Sequence, residues 1–188
     1  MSRYRRPFVP GARVFFTVTL AARGDDLLLR EVGALREAVR QTRDERPFGI
    51  DAWVVLPDHM HCVWALPPGD AGYAVRMGAI KARFTRAVHR SGFTPALVPD
   101  NPYGAGGARV RDGEESRGEP RPTKSEHGVW QKRYWEHHIR DEADWRAHVG
   151  YCWMNPVKHG LVEHPKDWPY SSWHREHAGE GRPRLSPP

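Results

Sequence analysis

The stretch "FGIDAWVVLPDHMHCVWAL", residues 48–66, is two apolar, β-branched runs joined by Pro57 and Asp58. Runs of this kind separated by turn-forming residues predict a β-hairpin. Residues two apart on a strand share a face, so His59 and His61 stand side by side while Met60 and Cys62 turn to the other face, into the core. The two histidines are either polar residues on a half-exposed sheet face or half of a cation site. Two neutral imidazoles can bind one divalent ion, but the ion needs at least one further ligand.

Working outward, "RVFFTVTL" at 13–20 has strand composition and follows a basic arm, "MSRYRRPFVPG". From Asp26 to Arg46, Leu28, Val32, Leu35 and Val39 recur at helical spacing until Pro47, with Gly33 a weak point, which predicts one helix. A second helix is expected from about Gly72 to Arg90. Its apolar stripe is Tyr73, Met77, Ile80, Phe84 and Val88, and Lys81, Arg83, Arg86 and Arg90 lie beside or opposite that stripe. Residues 91–125 turn to Gly, Pro, Glu and Arg and read as a flexible insertion. "GVWQKRYWEHHI" restores strand character, and "RDEADWRAHVGYCWM" restores helix, with Asp141 as N-cap. The order β, α, β, β, α, loop, β, α predicts an α+β fold, an antiparallel sheet covered by helices. One domain is expected over 1–178, with a disordered tail at 179–188.

A chain of 188 residues can bury a core. Its 29 Lys and Arg against 23 Asp and Glu leave a charge of +6, with pI near 9.6, which suits polyanionic partners, nucleic acid first. The two cysteines, Cys62 and Cys152, exclude a disulfide framework and a Cys-rich zinc site and fit a reducing cytoplasm. "VFFTVTLAA" is too short to span a membrane, so a soluble intracellular protein is expected.

In "HVGYCWMNPVKHG", Trp145, Val149, Cys152 and Trp153 share a helical stripe, with His148, Tyr151 and Asn155 a quarter turn or more away. Tyr151 and Asn155, four apart, rise from one face. Asn155 before Pro156 is also a good N-cap pair for a short helix, and Tyr151 alone could be a surface tyrosine. Two imidazoles, an amide oxygen and a phenol in one site would suit metal-assisted phosphoryl transfer. A divalent ion on His59, His61 and Asn155 would polarise a phosphodiester. The Tyr151 hydroxyl would attack phosphorus, expel a DNA 3′-OH and leave a covalent 5′-phosphotyrosine.

"FFTVTL", "AWVVLPDHMHCVWALPPGD", "IKARFT", "VWQKRYWEHHIRDEADWRAHVGY", "NPVKHGLV" and "DWPYSSWHR" together resemble the REP-associated tyrosine transposases, relatives of the single-tyrosine transposases with the His-hydrophobic-His (HUH) motif. The resemblance implies a ferredoxin-like antiparallel sheet flanked by helices, with the two histidines on a central strand and the tyrosine on a helix near them. It implies His59 and His61 as metal ligands, Tyr151 as nucleophile and Asn155 as the residue completing the metal site. Mg²⁺ or Mn²⁺ as cofactor, cleavage of single-stranded or hairpin REP-type palindromic DNA at the nucleoid, and a monomer also follow from it. The chain departs from the family at Trp153, where His is common, and in the length of the 91–125 insertion.

Candidate phosphate contacts are Arg3, Arg5 and Arg6 of the arm, Lys81, Arg83 and Arg86 of the second helix, and Arg133 and Lys158; the alternative for each is a solvated charge. Trp130, Tyr134 or Trp173, if exposed, could stack on unpaired bases. Two competing functions remain, a catalytically silent protein that binds structured DNA and a metal-dependent hydrolase unrelated to DNA. The intact set of His59, His61, Tyr151 and Asn155 argues against the first. Against the second, the only acid beside the histidines is Asp58, whose side chain should face away from them if the strand includes it.

Overall fold

The computed structural model describes residues 7–92 and 128–178. Arg3, Arg5, Arg6, nearly all of the expected insertion and the 179–188 tail lie outside these residues.

Strands β1 (Arg13–Thr19), β2 (Gly49–Val55), β3 (His59–Ala65) and β4 (Trp135–His138) form one antiparallel sheet in the order β2-β3-β1-β4. The hairpin read from residues 48–66 is β2 and β3, closed where Leu56 N donates to His59 O at 2.8 Å. Helices α2 (Val32–Glu45) and α3 (Tyr73–Arg90) are the two crossovers, and with the β-α-β-β-α-β order they make the sheet ferredoxin-like. A further helix, α4 (Glu142–Lys158), follows β4.

The period-two alternation of the strands divides the core. Val14, Phe16, Val18, Met60, Cys62 and Trp64 pack with Leu35, Ala38, Met77, Ile80 and Phe84 of α2 and α3. On the other face Phe15, Ala52, Val54 and Val63 pack with Val149 and Cys152 of α4. Three layers result, and the odd-numbered residues of β1 and β3 look toward α4.

Two expectations need correction, and one alternative reading falls. The first helix is divided into α1 (Leu27–Arg30) and α2, and the break falls at Glu31, before Gly33. Leu27 N bonds locally to the Asp25 carboxylate, and Leu28 N donates to Pro57 O, a long-range tie of the first segment to the hairpin turn. Strand β4 is only four residues of the expected twelve, with one isolated bridge between Trp130 and Leu20 ahead of it. Asn155-Pro156 does not start a helix: α4 continues to Lys158, and both residues are buried.

The segment after α4 straps the outer edge of β2. Trp168 Nε1 donates to Val55 O at 2.9 Å, Ser172 N to Trp53 O at 2.8 Å, and Ser172 Oγ accepts from Trp53 N and Trp153 Nε1. A sheet edge that would otherwise expose unpaired backbone groups is covered this way. Trp168 of "DWPYSSWHR" is therefore a fastened part of the fold.

Candidate active site on the tyrosine helix

His59 and His61 stand on β3, but the face they share is covered, not half-exposed, and His61 is only 3% exposed. Each ring is fixed through Nδ1. His59 Nδ1 lies 2.6 Å from Asp58 Oδ1, and His61 Nδ1 lies 2.9 Å from Oγ1 of Thr17, its partner residue across the sheet. With Nδ1 of each imidazole engaged, Nε2 is the nitrogen left for a further ligand, the arrangement by which outer groups set the tautomer of metal-binding histidines.

Asp58 lies outside the strand, so the condition under which its side chain would face away from the histidines is not met. It belongs to the turn, one residue ahead of β3, so strand alternation does not apply and its carboxylate swings to His59. Burial alone would raise its pKa, but the hydrogen bond to His59 and the Gly24 N–H at 2.9 Å outweigh that, and with the nearby Arg23 they hold it down at about 2. Burial, followed by the charges of His59, His159 and Lys158, lowers the His61 pKa to about 2. The ring stays neutral, as a metal ligand must be.

Helix α4 brings up the other residues. The Tyr151 ring is 39% exposed and sits 5.1 Å from the His61 ring, edge to face, and 5.8 Å from Phe15. Lys158 Nζ lies 5.3 Å from its centroid. Asn155, one turn on, is 1% exposed, and neither its Oδ1 nor its Nδ2 has a partner; His61 Nε2 is likewise buried and unpaired. A buried unpaired polar group costs about 1–3 kcal/mol, so two orphans close to one tyrosine call for a ligand. Two imidazoles and an amide carbonyl fit a divalent cation.

His159, whose ring is 5.2 Å from His59, and Thr17 were missed in the sequence. His159 continues the series Tyr151, Asn155 at a spacing of four, which was a usable signal. Thr17 had none, because its role depends on strand register.

A second group of ligand-type atoms lies where β4 meets α4. His137 Nε2 is 2.8 Å from Asp144 Oδ2, His148 Nδ1 is 3.0 Å from Asp144 Oδ1, and all three residues offer atoms within 4.8 Å of one another. The two rings stack at 4.6 Å and 16°. Asp144 also accepts from Arg140 at 3.1 Å, so the group as it stands is a satisfied clamp between strand and helix.

The candidate phosphate contacts do not converge. Lys158 lies on the helix that bears Tyr151, and Arg133 is exposed ahead of β4, whereas α3 covers the opposite face of the sheet. There Lys81 donates to Gln131 O at 2.7 Å, and Arg83 is held by Thr42 and Glu45. Lys81 and Arg86 share a groove with Trp130 and Tyr134. Trp130 is buried, not exposed, and Trp173 stacks on His177 at 4.1 Å.

No protein-family model matches the chain. It is 39% identical over 176 residues, 94% of its length, to the REP-associated tyrosine transposase of Escherichia coli, covering 85% of that protein. A Haemophilus influenzae relative is also 39% identical, with 94% of this chain and 88% of that protein covered. A solved structure of a REP-associated tyrosine transposase bound to a REP hairpin superimposes with a TM-score of 0.73 at 38% identity, covering 97% of this chain and 89% of that one.

Proposed function

The chain belongs to the REP-associated tyrosine transposases, and from that premise we propose that it nicks and rejoins REP-type hairpin DNA through a covalent 5′-phosphotyrosine on Tyr151. One observation carries the reading: the Tyr151 ring lies 5.1 Å from His61, within a site whose buried His61 Nε2 and Asn155 amide have no partner.

His59, His61 and Asn155 would hold Mg²⁺ or Mn²⁺, with Asp58 and Thr17 orienting the two rings. Such an ion supplies charge neutralisation at the phosphate oxygens. Tyr151 Oη forms a bond to phosphorus as the bond to the 3′-oxygen breaks; the phenol loses its proton and the leaving 3′-oxygen gains one. The Lys158 ammonium, 5.3 Å from the phenol ring, favours the developing phenolate. Attack by a 3′-OH on the phosphotyrosine reverses the step and reseals a strand. Among the described residues, Lys158 beside the phenol is a cation placed to hold the strand that enters, and the hairpin named for the solved relative is the substrate class we assign here.

The test is a denaturing gel. Hairpin DNA bearing single-stranded flanks, labelled on the 3′ side, is incubated with the protein and Mn²⁺ and should shift to a protein-linked band. EDTA, Tyr151→Phe and His61→Ala should each abolish that band. No band from the wild-type chain with either Mg²⁺ or Mn²⁺ refutes the proposal.

A further inference from the structure

Trp135 is the largest side chain left exposed on the sheet, at 52%. Its position follows from register. Thr17 pairs with Trp135 on one side and with His61 on the other, so the indole stands in the cross-strand row of the candidate metal ligand with only a small threonine between. Two strand spacings separate them, about 10 Å. Phe15 meets both Trp135, at 5.6 Å, and Tyr151, at 5.8 Å, edge to face, so the indole and the phenol share one neighbouring ring.

The indole is also held at a fixed tilt. It lies parallel to His137 (5.9 Å, 5°), His137 lies parallel to His148 (4.6 Å, 16°), and Asp144 ties both histidines through their ring nitrogens. The stack ends on the tyrosine helix, three residues before Tyr151. A planar aromatic face, locked in orientation and open to solvent beside a phosphate-cleaving tyrosine, costs little entropy to engage and suits a flat π-surface as its partner.

We infer that Trp135 is the binding platform for one unpaired nucleobase of the strand that Tyr151 cleaves, and that the stack of His137 and His148 on Asp144 sets its angle. This rests on the proposed DNA-cleaving site and adds to it where the base next to the scissile phosphate goes. The stacking is indifferent to base identity, since every base offers a π-face.

The test reads binding without chemistry, in the Tyr151→Phe background with EDTA. Hairpin oligonucleotides with single-stranded flanks carry 2-aminopurine at one flank position at a time. One position should be quenched on binding, and the quench should survive W135F and vanish in both W135A and W135L. Affinity for the flanked hairpin should fall about 10-fold or more in the last two, while affinity for a blunt hairpin stays unchanged. W135L keeps bulk without a ring, so a loss it shares with W135A, and that W135F rescues, belongs to stacking and not to folding. A quench and affinity unaltered in W135A and W135L overturn the inference. The adduct gel is independent of this result: a Trp135-dependent quench without any adduct leaves the base site standing and removes the transferase reading.

Discussion

His61 is held neutral in the folded chain, with its pKa lowered from 6.5 to about 2 chiefly by burial. An unfolded chain protonates this ring below about pH 6.5, so the stability present above that pH is lost as pH falls, by about 1.4 kcal/mol per unit at most. Urea melts of the metal-free protein between pH 7.5 and 5.5 should show this slope, and His61→Asn should remove about one proton's worth of it; an unchanged slope in that variant contradicts the assignment. Asn155 makes a complementary case. Its buried amide has no partner, so Asn155→Leu should leave metal-free stability unchanged or raise it by about 1–3 kcal/mol, while Mn²⁺ binding measured by calorimetry drops at least tenfold. A variant that loses stability and keeps Mn²⁺ would make Asn155 a packing residue. Both residues were legible in the sequence by type and spacing. The direction of Asp58 was legible only conditionally, because a one-residue shift of the strand start decides which way its carboxylate points.

The hairpin of β2 and β3 could be read from its alternation because one face of each strand must meet the core, and the stripe of α3 for the same reason. Where local chemistry favoured two outcomes, only tertiary contacts decided. Asn155-Pro156 is a good helix start, yet it became a buried part of α4, and the segment before the break at Glu31 is tied to the hairpin turn through Pro57 O. The strap over β2 was hidden too, since "DWPYSSWHR" carries no periodicity. Ser172 joins that strap to both β2 and α4 through Trp53 N and Trp153 Nε1. Ser172→Ala should cost about 1–3 kcal/mol by leaving those donors unpaired, seen as a lowered denaturation midpoint with cleavage retained at low temperature. Loss of cleavage without loss of stability would instead give the strap a part in the chemistry.

Over the whole molecule, the net charge of +6 pointed to a polyanion but not to where it sits. Arg83, read as a phosphate contact, is tied to Glu45 and Thr42 between α2 and α3, whereas Lys158 rises beside Tyr151. Lys158→Ala should weaken binding to hairpin DNA irrespective of sequence and reduce the slope of log affinity against log salt by about 1, and Arg83→Ala should leave that slope unchanged. A slope altered by Arg83→Ala alone would move the DNA to the opposite face of the sheet. A buried histidine pair on the sheet and a tyrosine delivered by an added helix converge, on the proposed reading, on one covalent bond. Its most direct measurement is mass spectrometry of the protease-digested protein–DNA adduct formed with Mn²⁺. A deoxynucleotide 5′-phosphate is expected on the peptide containing Tyr151, at the tyrosine itself; the same mass on any other residue, or an adduct that persists in Tyr151→Phe, would contradict this assignment.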